Sequence, residues 1–463
     1  MIKNQKKSIA IIGSGFLGLT LALRLAETGA KVTVFESAPE IGGLASAWQI
    51  GDVVWDKHYH VTLLSDSYTR KIVEEIGLGD EFNWVETKTG FYTDGKFVSM
   101  SNSLEFLRFP PLDLISKFRL GATIFYASRV KDWKALEKIS VEDWLKKLSG
   151  EKTFEKMWKP LLKAKLGEAY RETSAAFIWA TIQRLYAARN SGLKREMFGY
   201  VRGGYARVLE RFGEVLQAKG VEIRLNCQVS EIVKNDEKLE IKFNAKTQRH
   251  EDAKLESPAV VGGVVQHTGF QISNFKFQNK NQSEIFDLEF QVDNQQSLAD
   301  KEQKSEDGRP KPEDQFDKII LTCPSNVAAK ICPQLSAEEK SKLENVKYQG
   351  IVCASVLMRK SLSEFYVTNI TDDVPFTGII EMTALVDKSE FGGNVLVYLP
   401  KYVAPDDELF EKTDKEIEET FLNALENIYP HFDKKDVLAF LYSLLKIFFV
   451  QLFSKNFYLL TTR

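Results

Sequence analysis

The chain has 463 residues, 44% of them hydrophobic and 27% charged, which suits roughly two or three soluble globular domains. A formal net charge of -2 gives nucleic acid no electrostatic purchase and removes it from the expected partners. The four cysteines form no C-x-x-C pair, and Met1–Ser8 is polar and basic without a secretory pattern, so a reduced, cytoplasmic protein is expected.

The first predicted unit runs from Ser8 to about Leu64. Ile9-Ala10-Ile11-Ile12 reads as a strand and Leu19 to Thr28 as an amphipathic helix. Between them stands Gly13-Ser14-Gly15-Phe16-Leu17-Gly18. In a dinucleotide cradle of this pattern the first glycine permits the tight turn. The second lets backbone approach a pyrophosphate, and the third lets helix pack on strand. The helix N-terminus adds N–H groups and partial positive charge for phosphates. A second apolar run, Val32 to Phe35, ends in Glu36-Ser37, where an acid accepts hydrogen bonds from a ribose and repels a 2′-phosphate. Gly42-Gly43-Leu44-Ala45 follows. Strand, turn, helix and acid in this order predict dinucleotide binding.

Further along, Asp66 to Leu78 is helical, and Gly90 to Val98 is a hairpin turning at Asp94-Gly95. Helical periodicity dominates Leu112 to Arg189, with Ser140 opening one helix, Gly150 ending it and Pro160 interrupting the pattern. After Gly203-Gly204 come a helix, Ala206 to Ala218, and strands at Val221–Leu225, Val229–Val233, Leu239–Phe243 and Phe316–Thr322. The polar stretch 245–315 reads as a surface insertion. It holds one half-buried strand (Phe286, Leu288, Phe290, Val292) and a disordered run, Leu298–Asp314. Strands are expected at Gly350–Met358, Gly378–Met382 and Asn394–Leu399, and an amphipathic helix at Asp414–Ile428. Val437–Phe453 is near the lower length limit of a membrane span, about 17 residues, but Lys446 in its middle favours a buried or aberrant tail.

The opening block closely resembles the family of FAD-dependent amine oxidases, protoporphyrinogen oxidases and phytoene or carotenoid desaturases. The resemblance rests on Gly13, Gly15, Gly18, Glu36, the spacing Glu36-x5-Gly42-Gly43 and the run on to Ser46. In that family the second Gly-Gly brings backbone close to the flavin ribityl–pyrophosphate region. Asp56–Val61 is similar to the stretch under the flavin ring, with His58 and Tyr59 where the family has a glycine pair and His60 where it has a histidine. Gly203-Gly204-Tyr205-Ala206 resembles the turn back into the FAD domain, and Val229 falls where a valine backbone contacts the adenine. Asp317–Pro324 resembles the returning strand near the flavin. The chain departs from the pattern after Gly393, its last glycine, since the family's Gly-Asp element and glycine-opened helix are missing from Val437–Leu460.

The resemblance implies FAD as cofactor, held by Gly13, Gly15, Phe16, Leu17, Gly18, Glu36, Ser37, Gly42, Gly43, Leu44, Ala45, His58, Tyr59, His60 and Val229. It implies an α/β fold: a Rossmann-like FAD-binding domain (1–90 and 200–330) with an inserted α+β substrate domain (91–199 and 331–436) and a hydrophobic tail, 437–463. The activity implied is hydride transfer from a substrate C–H to flavin N5, which requires no dedicated acid–base pair, and no catalytic residue stands out. The substrate is a small molecule. Phe91, Tyr92, Trp158, Trp179 and Tyr186 suit an apolar or conjugated one of isoprenoid or porphyrinogen type, with a polar amine left open. A flavin-dependent sugar mutase, a non-catalytic dinucleotide-binding remnant and a plain NAD(P)-binding domain are the alternatives.

Several residues carry two readings. Lys163 and Lys165 could meet an anionic substrate or a flavin-side water, or be solvated helix residues. Arg184, Arg189, Lys194 and Arg195 could form an anion patch or a charged helix face. Leu112–Val130, with Lys117, Arg119 and Arg129, has the composition of an interfacial helix with peripheral membrane contact, or of a helix packed on the substrate domain. His58 and His60 share one strand face but have no further ligands at metal spacing, so no metal is expected. Nothing in the sequence specifies an oligomer.

Overall fold

The computed structural model describes residues 6–101, 103–189, 197–235, 237–244 and 315–450. The expected strand at Phe286–Val292 and the disordered run Leu298–Asp314 lie outside the described residues. In chain order the elements begin with β1 (Ser8–Ile12), α1 (Phe16–Glu27) and β2 (Lys31–Phe35). Then come β3 (Ala47–Ile50), β4 (Val53–Asp56), β5 (Thr62–Leu63), α2 (Ser67–Glu75) and β6 (Phe82–Glu86). The hairpin of β7 (Thr89–Thr93) and β8 (Lys96–Ser99) leads to α3 (Ser103–Arg108), α4 (Leu114–Ala127) and α5 (Trp133–Leu136). These are followed by α6 (Val141–Ser149), α7 (Glu151–Thr153), α8 (Lys159–Leu166) and α9 (Ala175–Arg189). Next are β9 (Met197–Val201), α10 (Gly204–Ala218), β10 (Glu222–Arg224), β11 (Val229–Asn235) and β12 (Lys238–Phe243). β13 (Gln315–Phe316) and β14 (Lys318–Leu321) precede the helices Ser325–Ile331 and Ala337–Glu344. The chain continues through β15 (Tyr348–Met358), β16 (Val367–Ile370), β17 (Gly378–Glu381), β18 (Val395–Val403), the helix Asp414–Ile428 and β19 (Val437–Val450).

The chain divides into two compact units. The first takes, of the described residues, 6–46, 207–244 and 315–345. Its main sheet is parallel, in the order β10-β2-β1-β14. Both faces of such a sheet are covered, which is why its strands read as continuous apolar runs. An antiparallel sheet β11-β12-β13 packs in the same unit, with Phe35 seated edge-on against Phe316 at 5.8 Å and a core of Ala10, Val229, Ile241 and Ile331.

The second unit takes, of the described residues, 47–206 and 346–450. Its seven-stranded sheet has the order β19-β15-β18-β17-β16-β7-β8, with β16 and β7 parallel and the other pairs antiparallel. The helices α3 to α9 enclose a second core around Leu120, Trp144, Leu145, Phe154 and Tyr170. These boundaries differ from those expected at 90 and 199. Residues 47–90 group with the second unit because Ile50, Val53 and Trp55 of the β3–β4 hairpin pack with Cys353, Leu357 and Tyr398.

Local signals decide most elements. Asp94 and Gly95 take left-handed backbone (φ 49° and 70°), the geometry that a two-residue hairpin needs. Ser140 caps α6 by accepting from the Asp143 N–H at 3.0 Å, and Gly150 ends the helix. Thr413 and Glu416 form a capping box at the start of Asp414–Ile428.

Three expectations are corrected. Pro160 does not break the helical pattern, because a π-turn over Phe154–Trp158 precedes it and Pro160 sits in the first turn of α8, where its missing N–H is not required. The apolar run from Val437 is no stray tail over its described part but strand β19, paired antiparallel with β15. Phe440, Tyr442 and Leu444 enter one core while Ala439, Leu441 and Leu445 enter another, so both faces of the strand are covered and its polar alternation is lost. Among the described residues no helix is long and apolar enough to cross a membrane. Lastly, Phe91 and Trp158 are core residues, 2% and 6% exposed, and give no information about substrate.

Phe421 is fully buried and meets Phe376 edge-on at 5.6 Å, so Phe421→Ala should cost about 3–5 kcal/mol. An unshifted urea midpoint would contradict this packing.

Candidate functional site

In the first unit the chain leaves β1 through Gly13-Ser14-Gly15 and enters α1. A side chain begun at Gly18 would stand 2.1 Å from the Gly13 carbonyl oxygen, so α1 lies on the turn with only a hydrogen between them. Thr322, just beyond β14, closes the same corner: its Oγ1 donates to the carbonyls of Ile12 and Gly13, both at 3.0 Å. At Gly15, by contrast, nothing lies within 4 Å of where a side chain would begin. The N-cap of α1 has no side-chain cap and its first turn no acid. This open space in front of a helix N-terminus fits a diphosphate.

Glu36 follows β2 and faces the turn. Ser14 donates to its carboxylate through N–H at 2.8 Å and Oγ at 2.7 Å, while Ala38 N–H and Ser37 Oγ reach the other oxygen at 3.0 and 3.2 Å. The segment after β10 zips onto the same residues. Glu36 N–H donates to Arg224 O at 2.9 Å, and Cys227 N–H to Glu36 O at 2.8 Å, which brings Val229 to the neighbouring wall. Gly42 completes the cradle: its N–H donates to Ser14 O at 3.0 Å, and its φ of 117° with Leu209 at 2.4 Å from any added carbon leaves room for glycine alone. Gly43, Leu44 and Ala45 form the turn after it, with Leu17 and Leu44 63% and 43% exposed. Gly13, Gly15, Phe16, Leu17, Gly18, Glu36, Ser37, Gly42 to Ala45 and Val229 thus all belong to this one unit. Sequence reasoning missed Ser14, Thr322 and Leu209. A polar residue ending the apolar run of β14 was the available signal for Thr322.

His58, Tyr59 and His60 belong to the second unit, where they follow β4 as part of a buried polar cluster. The Asp56 carboxylate accepts the Tyr205 N–H at 2.8 Å at the start of α10, and burial raises its pKa above the ordinary carboxylate value. His58 is buried, with Nε2 2.8 Å from Ser443 Oγ of β19. His60 lies 3.8 Å from Asp56 and against the Tyr205 ring. Tyr59 Oη lies 2.9 Å from Tyr402 Oη, and Lys165 Nζ of α8 donates to Tyr402 Oη at 2.6 Å. Burial pushes the Tyr59 phenol up to about 12 and, with Arg184 nearby, brings the Lys165 amine down to about 8.

Of the other candidates, Arg184 forms a two-point ion pair with Asp66 at 2.7 and 2.6 Å. Lys163 takes the solvated reading, 43% exposed and paired with Glu168. Lys194, Arg195 and the Arg189 side chain lie outside the described residues. No group of acids, histidines and cysteines among the described residues could hold a metal ion.

Two outcomes follow. Gly18→Ala should prevent α1 from seating on its turn, lowering stability by 2 kcal/mol or more, on the order of a severe core change. An unchanged denaturation midpoint would refute the close approach. Between pH 8 and 10 an unfolded Lys165 keeps a proton that the folded chain releases, so stability rises with pH in that window relative to Lys165→Met. Urea midpoints of the two proteins that ran parallel from pH 7.5 to 9.5 would show an ordinary amine.

Residues 18–257 and 298–445 match the model of flavin containing amine oxidoreductases. A probable zeta-carotene desaturase from Synechococcus elongatus is 24% identical over 256 residues, 48% of this chain and 51% of that protein. Protoporphyrinogen oxidase 2 from Arabidopsis thaliana is 29% identical over 142 residues, 29% of this chain and 28% of that one. The chain spans about half or less of the curated relatives it matches. An oxidoreductase structure from Methanosarcina mazei shares the fold, with TM-score 0.63 and 16% identity over 95% of this chain and 88% of that one. With most of its length matched, the chain belongs to the flavin containing amine oxidoreductase family, and its cofactor is FAD.

Proposed function

We propose that this protein is an FAD-dependent oxidoreductase that takes a hydride from a C–H of a small apolar, conjugated substrate. The observation that carries the reading is the open, uncapped N-terminus of α1 beside Gly15, closed behind by Gly18, Thr322 and Gly42. Phe16, Leu17 and Gly18 present main-chain amides to a diphosphate there. Glu36 exchanges part of its bonding to Ser14 and Ser37 for ribose hydroxyls. The backbone of Gly42 to Ala45 and of Val229 lines the same cradle and is assigned to the remainder of the nucleotide. When bound, the flavin supplies the hydride acceptor.

Within the second unit we assign proton exchange to the polar cluster. Desaturation removes a proton as well as a hydride, and Lys165, at about 8 and hydrogen-bonded to Tyr402, exchanges a proton close to neutral pH. Asp56, His58, Tyr59 and His60 hold that cluster in place through Tyr205, Ser443 and Tyr402. An apolar, conjugated substrate is supported by the names of the relatives, a zeta-carotene desaturase and a protoporphyrinogen oxidase. Such a molecule dissolves in lipid, so peripheral contact with a membrane belongs to the same reading.

The purified protein should be yellow and should bleach when a carotenoid or porphyrinogen is added without oxygen. A protein that stays colourless with added FAD would be a remnant, and turnover of a nucleotide-diphosphate sugar after dithionite reduction would make it a mutase. Gly15→Val should abolish flavin absorbance by filling the diphosphate space, and Glu36→Ala should weaken FAD binding by about 1–3 kcal/mol. Wild-type flavin content in the first variant, or equal titration curves for the second, would remove the residue concerned from the site.

A further inference from the structure

The amphipathic pattern of α4 is inverted. Its inward face holds Ser116, Lys117 and Thr123, all buried, together with Leu120 and Ala127. Its outward face holds Leu114, Ile115 and Phe118, which are 73%, 75% and 78% exposed, and Phe125 and Tyr126, 54% and 53% exposed. Leu114, Phe118, Gly121 and Phe125 follow one another at helical spacing, so the apolar residues make one stripe along a helix about 21 Å long. The neighbouring α3 exposes Leu104 and Leu107 and is tied to α4 by Lys117 Nζ, which donates to Leu107 O at 2.7 Å. Large apolar side chains left in water forgo the gain of burial, and this surface does so several times over.

Charge around the stripe is one-sided. Residues 103–140 carry four acids and seven lysines and arginines, five of them besides the buried Lys117 and an Arg119 that donates to the carbonyls of Lys147 and Leu148, whereas the whole chain is at -2. Three of those acids are engaged locally: Glu105 accepts from Ser101 N–H, Asp113 caps α4 and pairs with Lys152, and Asp132 caps α5. Arg129 folds its guanidinium over the Phe125 ring at 4.8 Å, so apolar ring and cation reach outward together.

We propose that the outward face of α4, with the exposed leucines of α3, is a docking surface for a bilayer bearing anionic headgroups. Aromatic and aliphatic side chains that project singly enter the acyl boundary, while Arg129, Lys131 and Lys134 meet the phosphates. A second copy of the chain fits less well, because a two-fold contact would set these cations against themselves. The inference names the surface for the membrane contact read above and is tested without substrate.

Vesicle co-sedimentation of the full chain is the experiment. The wild-type protein should bind phosphatidylcholine–phosphatidylglycerol vesicles. Ile115→Glu and Phe118→Glu should each lower the partition at least about tenfold, with thermal melting and flavin absorbance unchanged because both side chains are exposed. Arg129→Gln and Lys131→Gln should each lower it about fivefold on anionic vesicles and leave the weaker binding to pure phosphatidylcholine unaltered. No wild-type binding, or full binding by Phe118→Glu, overturns the proposal. So does a lipid-free dimer that Phe118→Glu dissociates while vesicles recover nothing. A colourless protein that still binds vesicles through Phe118 would sink the redox reading and leave this one standing.

Discussion

The contact on which the rest depends is the seating of α1 on the turn that leaves β1. An added carbon at Gly18 would lie 2.1 Å from the Gly13 oxygen, and Gly13 is held in place by its N–H to Phe35 O at 2.8 Å and by Thr322 Oγ1 donating to that same oxygen. Only because helix and strand close to that distance does the N-terminus of α1 point at open space over Gly15. Thr322 and Glu36 then act as braces from either side, one on the carbonyls of the turn and the other on its central serine. The cradle is therefore made by residues of five separate segments, around positions 15, 36, 42, 229 and 322, each contributing main chain or a short polar group.

The second unit relies on a different device. Asp56 at the end of β4 and His58 just beyond it are buried and Tyr59 is half-buried, and each of the three is held by a partner far along the chain: Asp56 by Tyr205, His58 by Ser443, Tyr59 by Tyr402. Burial makes such groups costly unless bonded, so the network specifies one arrangement of β4, Tyr205, β18 and β19 more sharply than apolar packing alone would. The same burial lowers the Lys165 amine and so couples the network to pH.

What could be read beforehand follows from how local each signal is. The cradle was legible because its glycines, strand and acid lie within some thirty residues and each answers a separate steric or electrostatic need. The Asp94-Gly95 turn, the Ser140 cap and the extent of Asp414–Ile428 were legible for the same reason. Ser14 was hidden because its role exists only when Glu36 is folded back onto it, and Tyr402 because nothing near it in sequence marks it as a partner of Tyr59 and Lys165. The strand β19 looked alien since covering both faces erases the alternation by which strands are recognised. Where the unit boundary falls was hidden likewise: the β3–β4 hairpin continues the opening motif in sequence yet packs with strands made three hundred residues later.

That strand also sets a timetable. β15 is buried along nearly its whole length, flanked by β18 on one side and β19 on the other. A nascent chain that has delivered β15 has neither neighbour, and even after β18 emerges one row of its amides stays open until Val437–Val450 leaves the ribosome. The register then admits no slip: Tyr442 must reach Asp414 on one side and Ser443 must reach His58 on the other, and a shift by one residue would exchange the two. Among the described strands the pairing of β19 is thus the last and most demanding alignment of this sheet, and until it is made β15 keeps an unpaired edge that is open to other chains.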